Sequence, residues 1–330
     1  MDPLTPAQQD VLDGLMAAGQ ARPTFEPDLQ LRLIDLLEDG LGDVADRLDP
    51  QVLDVNKASL SRVHQCEAHQ MAASRTPFEW SPAAARGTVA HRAVQMGVFR
   101  TDDADPLTLV DDVLEALTAE GDDWTPGPWL RTAGPQEVAE IRGDAAASVT
   151  AFQECFPPLK SAWRPRMEFP VRAALCADRI RLRSKVDLAL GTARGQEARL
   201  LIVDFKTGNP WPGHLDDLRF YALLETLRIG VPPFRVATYY LDAGRWHHED
   251  ITVDLLMAAS RRVVGGVTRL AELVLEERKP TVTPCGACTY CELRHDCEGA
   301  VAWRERDIAE TGVFTPDPDD PDDEESPLPF

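Results

Sequence analysis

The chain has 330 residues, 44% of them hydrophobic, and can therefore bury a sizeable core in one large domain or two modest ones. It contains no run of about 18 apolar residues, so no membrane span is expected. The N-terminus MDPLTPAQQD lacks the basic and apolar regions of a signal peptide, which predicts a cytoplasmic protein.

The formal net charge of −21 argues against a nucleic-acid binder, which usually carries a basic patch. The charge is unevenly distributed, however. Seven acids lie in the last 16 residues, whereas residues 160–185 carry eight lysines and arginines against two acids. The Pro- and Asp-rich tail, residues 313–330, is predicted to be disordered.

The first half of the chain is predicted to be helical. Residues 5–50 show helical spacing, and Thr5 with Gln8 forms a plausible capping box. Further helical patterns open near Ser59 and in GTVAHRAVQMGVF, and residues 101–160 are predicted to be helices with Pro- and Gly-rich connections.

From Arg166 the hydrophobic period changes to two. Three strands are predicted, MEFPVRAAL, DRIRLRSKVDLAL and RLLIVDFKTG, followed by the helix HLDDLRFYALLETLRIG. PFRVATYYLD and RWHHEDITVD then predict two more strands, and residues 254–277 a long helix. The chain is therefore predicted to combine an N-terminal helical region (1–58), a mixed α/β domain (59–312) that includes a cysteine cluster (285–297), and the tail (313–330).

Two of these strands carry acids that can converge. Alternate residues of a strand share a face, so Asp204 and Lys206 point the same way, and Asp187 on a neighbouring strand can approach them. Two carboxylates can hold Mg²⁺ or Mn²⁺, and a nearby lysine can orient a water or neutralise developing charge. The alternative is an ordinary surface arrangement of charges at a strand end.

The strand of Asp187 also carries a ladder of basic residues on the same face: Arg179, Arg181, Arg183 and Lys185. Such a ladder can follow the phosphates of a nucleic acid. The alternative is the solvated outer face of a sheet.

Four of the seven cysteines lie in TPCGACTYCELRHDC, at positions 285, 288, 291 and 297. In the cytoplasm such a cluster is more typical of a metal site than of disulfides. Four thiolates bind either zinc or an iron–sulfur cluster, and the spacing alone slightly favours zinc. Cys66 stands far away in sequence, and Cys155 and Cys176 are predicted to be core residues.

Taken in order, several segments resemble the PD-(D/E)XK nuclease superfamily, in its RecB-like branch. LIVDFKTG resembles the D-x-K-T-G motif, SKVDLALG the strand of the first aspartate, and GTVAHRAVQ the helix of a metal-binding histidine. DDLRFYALL resembles the Q-x-x-x-Y helix, SLSRVHQCEAH the segment of the first cluster cysteine, and CTYCELRHDC the closing cysteines. The resemblance implies a restriction-endonuclease-like mixed sheet flanked by helices, with a cysteine-cluster staple at its C-terminal end.

The same resemblance implies roles for particular residues. His91, Asp187 and Asp204 would bind the metal, with the carbonyl of Phe205 as a further contact. Lys206 would assist the attacking water, and Tyr221 would shape the site or touch DNA.

The chain departs from the family at one position near this site. Asp217 stands where the family has glutamine, and an acid cannot donate a hydrogen bond as an amide does. Glu168 lies at a strand position where the family often has an acid, and it is interpreted as structural or secondary.

For the cysteines, the resemblance implies a 4Fe-4S cluster held by Cys66, Cys288, Cys291 and Cys297, which would staple the N-terminal helices to the C-terminal end. A zinc site in which Cys285 replaces Cys66 stays open as the alternative, with His295 as a less favoured ligand.

The expected function is that of a metal-dependent DNA exonuclease acting at single-stranded ends, in DNA repair, recombination or CRISPR-type DNA processing. The chain has no G-x-x-x-x-G-K-[ST] loop, so any helicase or other repair protein would be a separate partner. The rivals are a non-catalytic DNA-binding module that keeps the nuclease fold, and a zinc-stapled adaptor. The acidic tail is expected to solubilise the chain. Its alternatives are that the terminal Phe330 docks on a repair partner, or that the tail folds back over the basic DNA-binding surface.

Overall fold

The computed structural model describes residues 3–100, 104–208, 210–211 and 213–311. None of the helices in these ranges is long and apolar enough to span a membrane. The helices are α1 (Pro6–Asp10), α2 (Leu29–Leu48), α3 (Lys57–Gln65), α4 (Glu67–Arg75), α5 (Pro82–Phe99), α6 (Pro106–Ala119), α7 (Gly127–Leu130), α8 (Pro135–Cys155), α9 (Gly213–Ile229), α10 (Val253–Val274) and α11 (Glu298–Thr311). The strands are β1 (Leu53–Asn56), β2 (Arg166–Leu175), β3 (Ile180–Leu190), β4 (Leu201–Lys206), β5 (Arg235–Tyr240) and β6 (Arg245–Asp250).

The chain divides into two compact units. The first consists of Met1–Lys57 and Glu79–Val264 and contains the whole sheet. The second consists of Ala58–Phe78 and Gly265–Phe330, and contains α4 and α11. The domain boundaries expected from the sequence stay a prediction.

The first unit is built on one mixed six-stranded sheet, in the order β1-β3-β4-β5-β6, with β2 also paired to β3. β1 pairs with β3 in parallel, and β4 pairs with β5 in parallel. β2 and β4 both run antiparallel to β3, and β6 runs antiparallel to β5. The prediction of a mixed sheet flanked by helices is therefore confirmed.

Strand β3 is the organising element of this sheet. Residues 180–183 pair with both β1 and β2, and Leu188 and Ala189 pair with both β2 and β4. A strand has only two hydrogen-bonding edges, so β1 and β4 share one edge of β3 and β2 takes the other. Between them, residues 184–187 pair with neither β1 nor β4. We call this interval the fork.

The apolar core of the first unit lies between the sheet and helices α5, α6 and α8. Buried strand residues such as Leu188, Val203 and Ala237 share one hydrophobic cluster with helix residues such as Val89 and Val149. Four aromatic side chains pack edge-to-face or stacked at its centre, with ring centroids 4.9–6.2 Å apart: Phe152, Phe156, Phe205 and Tyr239. This packing fixes the end of β4 that carries the D-x-K motif.

The second unit joins chain segments that are more than 200 residues apart. The guanidinium of Arg278 donates two hydrogen bonds to the Glu67 carboxylate, at 2.5 and 2.7 Å, and Glu67 also accepts from the backbone N–H of Thr281 at 2.8 Å. The hydrogen bonds from Arg278 hold the pKa of Glu67 at about 2. Residues 278–281 are thereby tied to the start of α4, beside Cys66.

Three elements differ from the sequence prediction. The region 5–50 is not continuously helical, because residues 16–28 separate an N-terminal α- and π-helical turn from α2. Strand β1 was not predicted, since its four residues are too few for a clear period. The segment after β6 was predicted to be strand through Asp254, but α10 already begins at Val253. The predicted disordered tail lies outside the described residues.

A glycine at the end of β3 provides a test of this fold. Gly191 has φ +89°, and a Cβ there would lie 2.3 Å from the carbonyl oxygen of Arg199. We expect Gly191→Ala to lower the free energy of unfolding by about 2 kcal/mol or more. Exposed Gly143 in α8 has open space around it, so Gly143→Ala should raise stability by about 0.5–1 kcal/mol. Urea unfolding measures both, and an equal effect of the two substitutions would contradict the positive φ and the close contact with Arg199 described for Gly191.

Candidate active site

The predicted acids meet at the fork. Where pairing between β3 and β4 stops, the next opposed residues are Asp187 and Asp204. The Asp187 carboxylate accepts a hydrogen bond from the backbone N–H of Phe205, at 2.7 Å. The Asp187 side chain therefore replaces a backbone carbonyl as the hydrogen-bond acceptor for this N–H at the end of the β3–β4 pairing.

Asp204 is fully buried and is surrounded by donors. Its Oδ1 accepts from the Tyr221 hydroxyl at 2.9 Å and from Lys57 Nζ at 3.2 Å, and its Oδ2 lies 2.7 Å from Lys206 Nζ. Lys57 Nζ also donates to the Tyr221 hydroxyl, at 2.6 Å. Two lysines and a tyrosine thus compensate one buried carboxylate.

A second group of side chains has the composition of a divalent-cation site. Ligand atoms of His91, Glu168 and Asp187 all lie within 4.8 Å of one another, and His91 Nδ1 is 3.8 Å from Asp187 Oδ2. One imidazole with two carboxylates fits Mn²⁺, and carboxylates with water fit Mg²⁺. Asp204 is opposite Asp187 but is held by its own donors, so the residues present fit a cation bound first by this group of three.

The pKa values of Asp187 and Asp204 are set by burial and by the neighbouring lysines. Burial, reinforced by Asp204, raises the pKa of Asp187 to about 8. Burial acts in the same direction on Asp204, but Lys57 and Lys206 outweigh it and hold the pKa of Asp204 below its ordinary value. One proton shared unequally between two facing acids is typical of carboxylate dyads.

His91 is neutral near pH 7, because burial lowers its pKa to about 4. Its ring packs edge-to-face on Phe205, with centroids 6.0 Å apart. A neutral imidazole can act as a metal ligand without first losing a proton.

Two residues of this site were missed or undervalued in the sequence. Glu168 was interpreted as secondary, yet it lies with His91 and Asp187, and its backbone has φ +50°, a conformation uncommon for a residue with a side chain. Lys57 was not singled out at all. A signal existed, since only five of the 34 basic residues are lysine.

The basic ladder is not a row of free cations. Arg181 pairs with Asp178 at 2.5 Å, Arg183 lies 3.6 Å from Asp54, Arg179 pairs with Asp49, and Lys185 pairs with Glu168. Its side chains are at least one-third exposed, so DNA phosphates would have to compete with these acids. The DNA-binding role of the ladder stays a prediction.

The cysteines form a second candidate site, within the second unit. Five of them line one pocket: Cys66, Cys285, Cys288, Cys291 and Cys297. All are free thiols. Three sulfurs already accept backbone N–H groups, with Thr283 donating to Cys66, Cys285 to Cys288, and Leu293 to Cys291, at 3.3–3.4 Å.

These N–H···S contacts are of the kind that support metal-bound thiolates. Burial raises the pKa of the Cys288 and Cys291 thiols, so a bound cation would be needed to keep them deprotonated near neutral pH. The donor set fits a four-thiolate metal or iron–sulfur site with one cysteine to spare.

Comparison with known proteins identifies the family. The model of the PD-(D/E)XK nuclease superfamily matches residues 58–298, and the chain belongs to this superfamily. The match covers the candidate metal ligands, the D-x-K segment and the five cysteines of the pocket, whereas Lys57 lies just before it.

Two solved structures are similar to this chain. One is a candidate exonuclease from Eubacterium rectale, 12% identical, with a TM-score of 0.44, covering 74% of this chain and 90% of its own. The other is the protein SSO0001, 12% identical, with a TM-score of 0.36, covering 80% of this chain and 95% of its own. A search of curated proteins gave no match.

The raised pKa of Asp187 predicts a pH dependence of stability. Above about pH 4 the carboxyl is ionised in the unfolded chain but stays protonated in the folded chain up to about pH 8. The folded state thus binds more protons, and the free energy of unfolding falls as pH rises, by up to about 1.4 kcal/mol per pH unit.

Asp187→Asn keeps the acceptor for the Phe205 N–H and removes the titration. Between about pH 6 and pH 7.5, with a chelator present, the wild type should lose about 2 kcal/mol relative to this variant. Urea unfolding at the two pH values measures the difference. Parallel behaviour of the two proteins would show that Asp187 is ionised in the folded state.

Proposed function

We propose that this protein is a metal-dependent deoxyribonuclease, an exonuclease of the RecB-like branch that acts at single-stranded DNA ends. The observation that carries the proposal is the convergence at the fork of a histidine–carboxylate group with the Asp204–Lys206 pair. A non-catalytic module would have no need to bury these mutually repelling acids, because the burial of charge is costly unless it is compensated.

Each residue has a proposed part in hydrolysis. When bound, Mg²⁺ or Mn²⁺ supplies a polarised phosphodiester and a water of lowered pKa. His91, Glu168 and Asp187 would hold the cation, together with Asp204 and the Phe205 carbonyl. Lys206 would orient the attacking water and neutralise charge on the phosphate, and Tyr221 would keep Asp204 in place.

The proposed substrate is supported by two exposed features. The ladder Arg179, Arg181, Arg183 and Lys185 lies along the strand that leads to Asp187, where DNA phosphates would take the place of the acids with which these cations pair. In the loop after Lys206, Trp211 is 47% exposed, and an exposed indole offers a stacking surface for an unpaired base. Of the two features, the stacking surface is the one that favours a single strand over a duplex.

For the cysteine pocket we propose a 4Fe-4S cluster held by Cys66, Cys288, Cys291 and Cys297. The position of Cys66 in the same pocket as the C-terminal cysteines supports it, as do the N–H groups directed at three of the sulfurs. The cluster would staple residues 58–78 to residues 265–311. Zinc bound with Cys285 in place of Cys66 is the competing occupant.

The biological setting is proposed from the same features. The protein would act in the cytoplasm, in DNA repair, recombination or CRISPR-type processing, with a separate helicase or repair protein as partner. The second candidate function is a non-catalytic DNA-binding or adaptor module. It accounts less well for the cluster of His91, Glu168 and Asp187 beside the Asp204–Lys206 pair, because binding alone does not require such a cluster.

Nuclease activity is tested directly. The protein, purified without oxygen, is incubated with end-labelled single- and double-stranded DNA in Mg²⁺ or Mn²⁺. We expect shortening of single strands from their ends, abolished by chelator. Asp204→Asn and Glu168→Gln should each lower the rate about 100-fold or more, since each removes a charge from the site without changing its shape.

Arg142→Gln provides the control, because its ion pair with Asp111 is exposed and outside the site. It should cut like the wild type. Binding of DNA without cleavage, in protein shown to hold Mn²⁺, would favour the non-catalytic module instead.

The occupant of the cysteine pocket is tested by iron, sulfide and zinc analysis of four proteins. Wild type should hold about four irons and four sulfides per chain. Cys66→Ser should lose them, whereas Cys285→Ser and Cys155→Ser should keep them. Zinc without iron, lost in Cys285→Ser and kept in Cys66→Ser, would establish the competing site.

A further inference from the structure

Lys57 lies in the site in a way that the proposed hydrolysis does not use. It is the first residue of α3, directly after β1 ends, and β1 pairs with β3 only up to Arg183. Its side chain therefore enters the fork from the side of β1. Three oxygens surround its ammonium: Tyr221 OH at 2.6 Å, Asp204 Oδ1 at 3.2 Å and Asp217 Oδ2 at 3.9 Å.

The first two contacts place Lys57 in competition with a cation. Asp204 Oδ1 already accepts from Tyr221 and Lys57, while the buried Oδ2 lies 2.7 Å from Lys206 Nζ but has no hydrogen-bond partner among the described residues. A carboxylate oxygen that accepts two donors has little capacity left for a metal. A cation that binds Oδ1 must therefore displace one of these donors, and a cation at Oδ2 places its charge on the same carboxylate as Lys57. In either case the ammonium, on a flexible side chain, is easier to displace than a tyrosine fixed in the core.

The third contact offers the displaced ammonium a destination. Asp217 is on α9, one turn before Tyr221, and is largely buried, with 17% of its side chain exposed. It is the position at which the resemblance leads one to expect glutamine. An amide there would leave a displaced Lys57 without a counter-ion, whereas a carboxylate can take it up after a short movement.

The choice of lysine agrees with such a movement. The chain uses lysine at only five positions, and three of them pair with acids of the site: Lys57 and Lys206 with Asp204, and Lys185 with Glu168. An ammonium on a flexible stem can exchange one carboxylate for another, whereas a planar guanidinium tends to be fixed in a bidentate pair. Elsewhere in the first unit the ion pairs of this protein are formed mainly by arginine.

We propose that Lys57 is the counter-ion that a divalent cation displaces from Asp204, and that Asp217 receives it. Lys57 is then a positioning residue that sets how tightly the metal binds and keeps Asp204 and Tyr221 aligned. This inference rests on the proposed metal-dependent function, but it concerns binding of the metal and can be measured without DNA.

The experiment measures binding of Mn²⁺ to chelator-treated protein, by the signal of free Mn²⁺ in electron paramagnetic resonance. Asp187→Asn defines the background from acids outside the site. Lys57→Met should bind Mn²⁺ about tenfold or more tightly than wild type, because the competing charge is gone. Lys160→Met removes one lysine charge at an exposed position away from the fork and should bind like wild type.

Asp217→Gln tests the destination while leaving Lys57 in place. Without an acid to receive it, Lys57 stays on Asp204, so Mn²⁺ should bind about threefold to tenfold more weakly. In the double variant Lys57→Met/Asp217→Gln this weakening should be smaller, because no lysine remains to be displaced. Asp217→Gln alone therefore still tests the inference if Lys57→Met fails to fold.

Nuclease rates separate this role from a purely structural one. At saturating Mn²⁺, Lys57→Met should cut more slowly while reaching half its maximal rate at a lower Mn²⁺ concentration. A Lys57→Met protein that binds Mn²⁺ equally well or more weakly would overturn the inference, as would a wild type without Mn²⁺ binding above the Asp187→Asn background. If the wild type binds Mn²⁺ and the variants change its affinity as predicted, but the wild type never cuts DNA, only the proposed function is overturned.

Discussion

The candidate site depends on one interruption of backbone pairing. Strand β3 changes partners along one edge, from β1 to β4, and residues 184–187 are left between the two. Asp187 lies in that interval and uses its carboxylate to hold the Phe205 N–H. Continuous pairing of β3 with one strand along this edge would leave no space for Lys57 to reach Asp204 from the side. The fork is therefore what allows the acids and lysines to meet.

Burying facing acids is a constraint that the surroundings must satisfy. The structure satisfies it in two different ways: Asp187 keeps a proton, as its pKa of about 8 indicates, and Asp204 keeps its charge next to two lysines and a tyrosine. The carboxyl groups of Asp187 and Asp204 therefore differ in protonation state. A cation would meet a protonated acid on one side and an already compensated one on the other, so its binding is coupled to release of a proton and to movement of a lysine.

Much of this arrangement could be predicted from the sequence. The alternation in RLRSKVDLAL and the short apolar run in RLLIVDFKTG predicted strands that carry Asp187 and Asp204, and these strands are neighbours in the sheet. β1 could not be predicted in the same way: LDVN is too short for a period, and its pairing with β3 is a long-range contact. Lys57 was missed with it, since its importance depends on where β1 ends. Glu168 was undervalued for a related reason, because φ +50° at that residue is a local backbone conformation that no side-chain pattern indicates.

The scarcity of lysine has a practical consequence for anyone who handles this protein. Amine-directed reagents, such as those used for reductive methylation before crystallisation or for attachment to surfaces, would find only five lysine side chains. Three of those amines belong to Lys57, Lys185 and Lys206, and Lys185 is the most exposed of the three. Such a treatment would reach Lys185 at the edge of the candidate site together with the exposed Lys160 and Lys279, whereas Lys57 and Lys206 are more protected, so labelling intended to be random would be restricted to a few known positions.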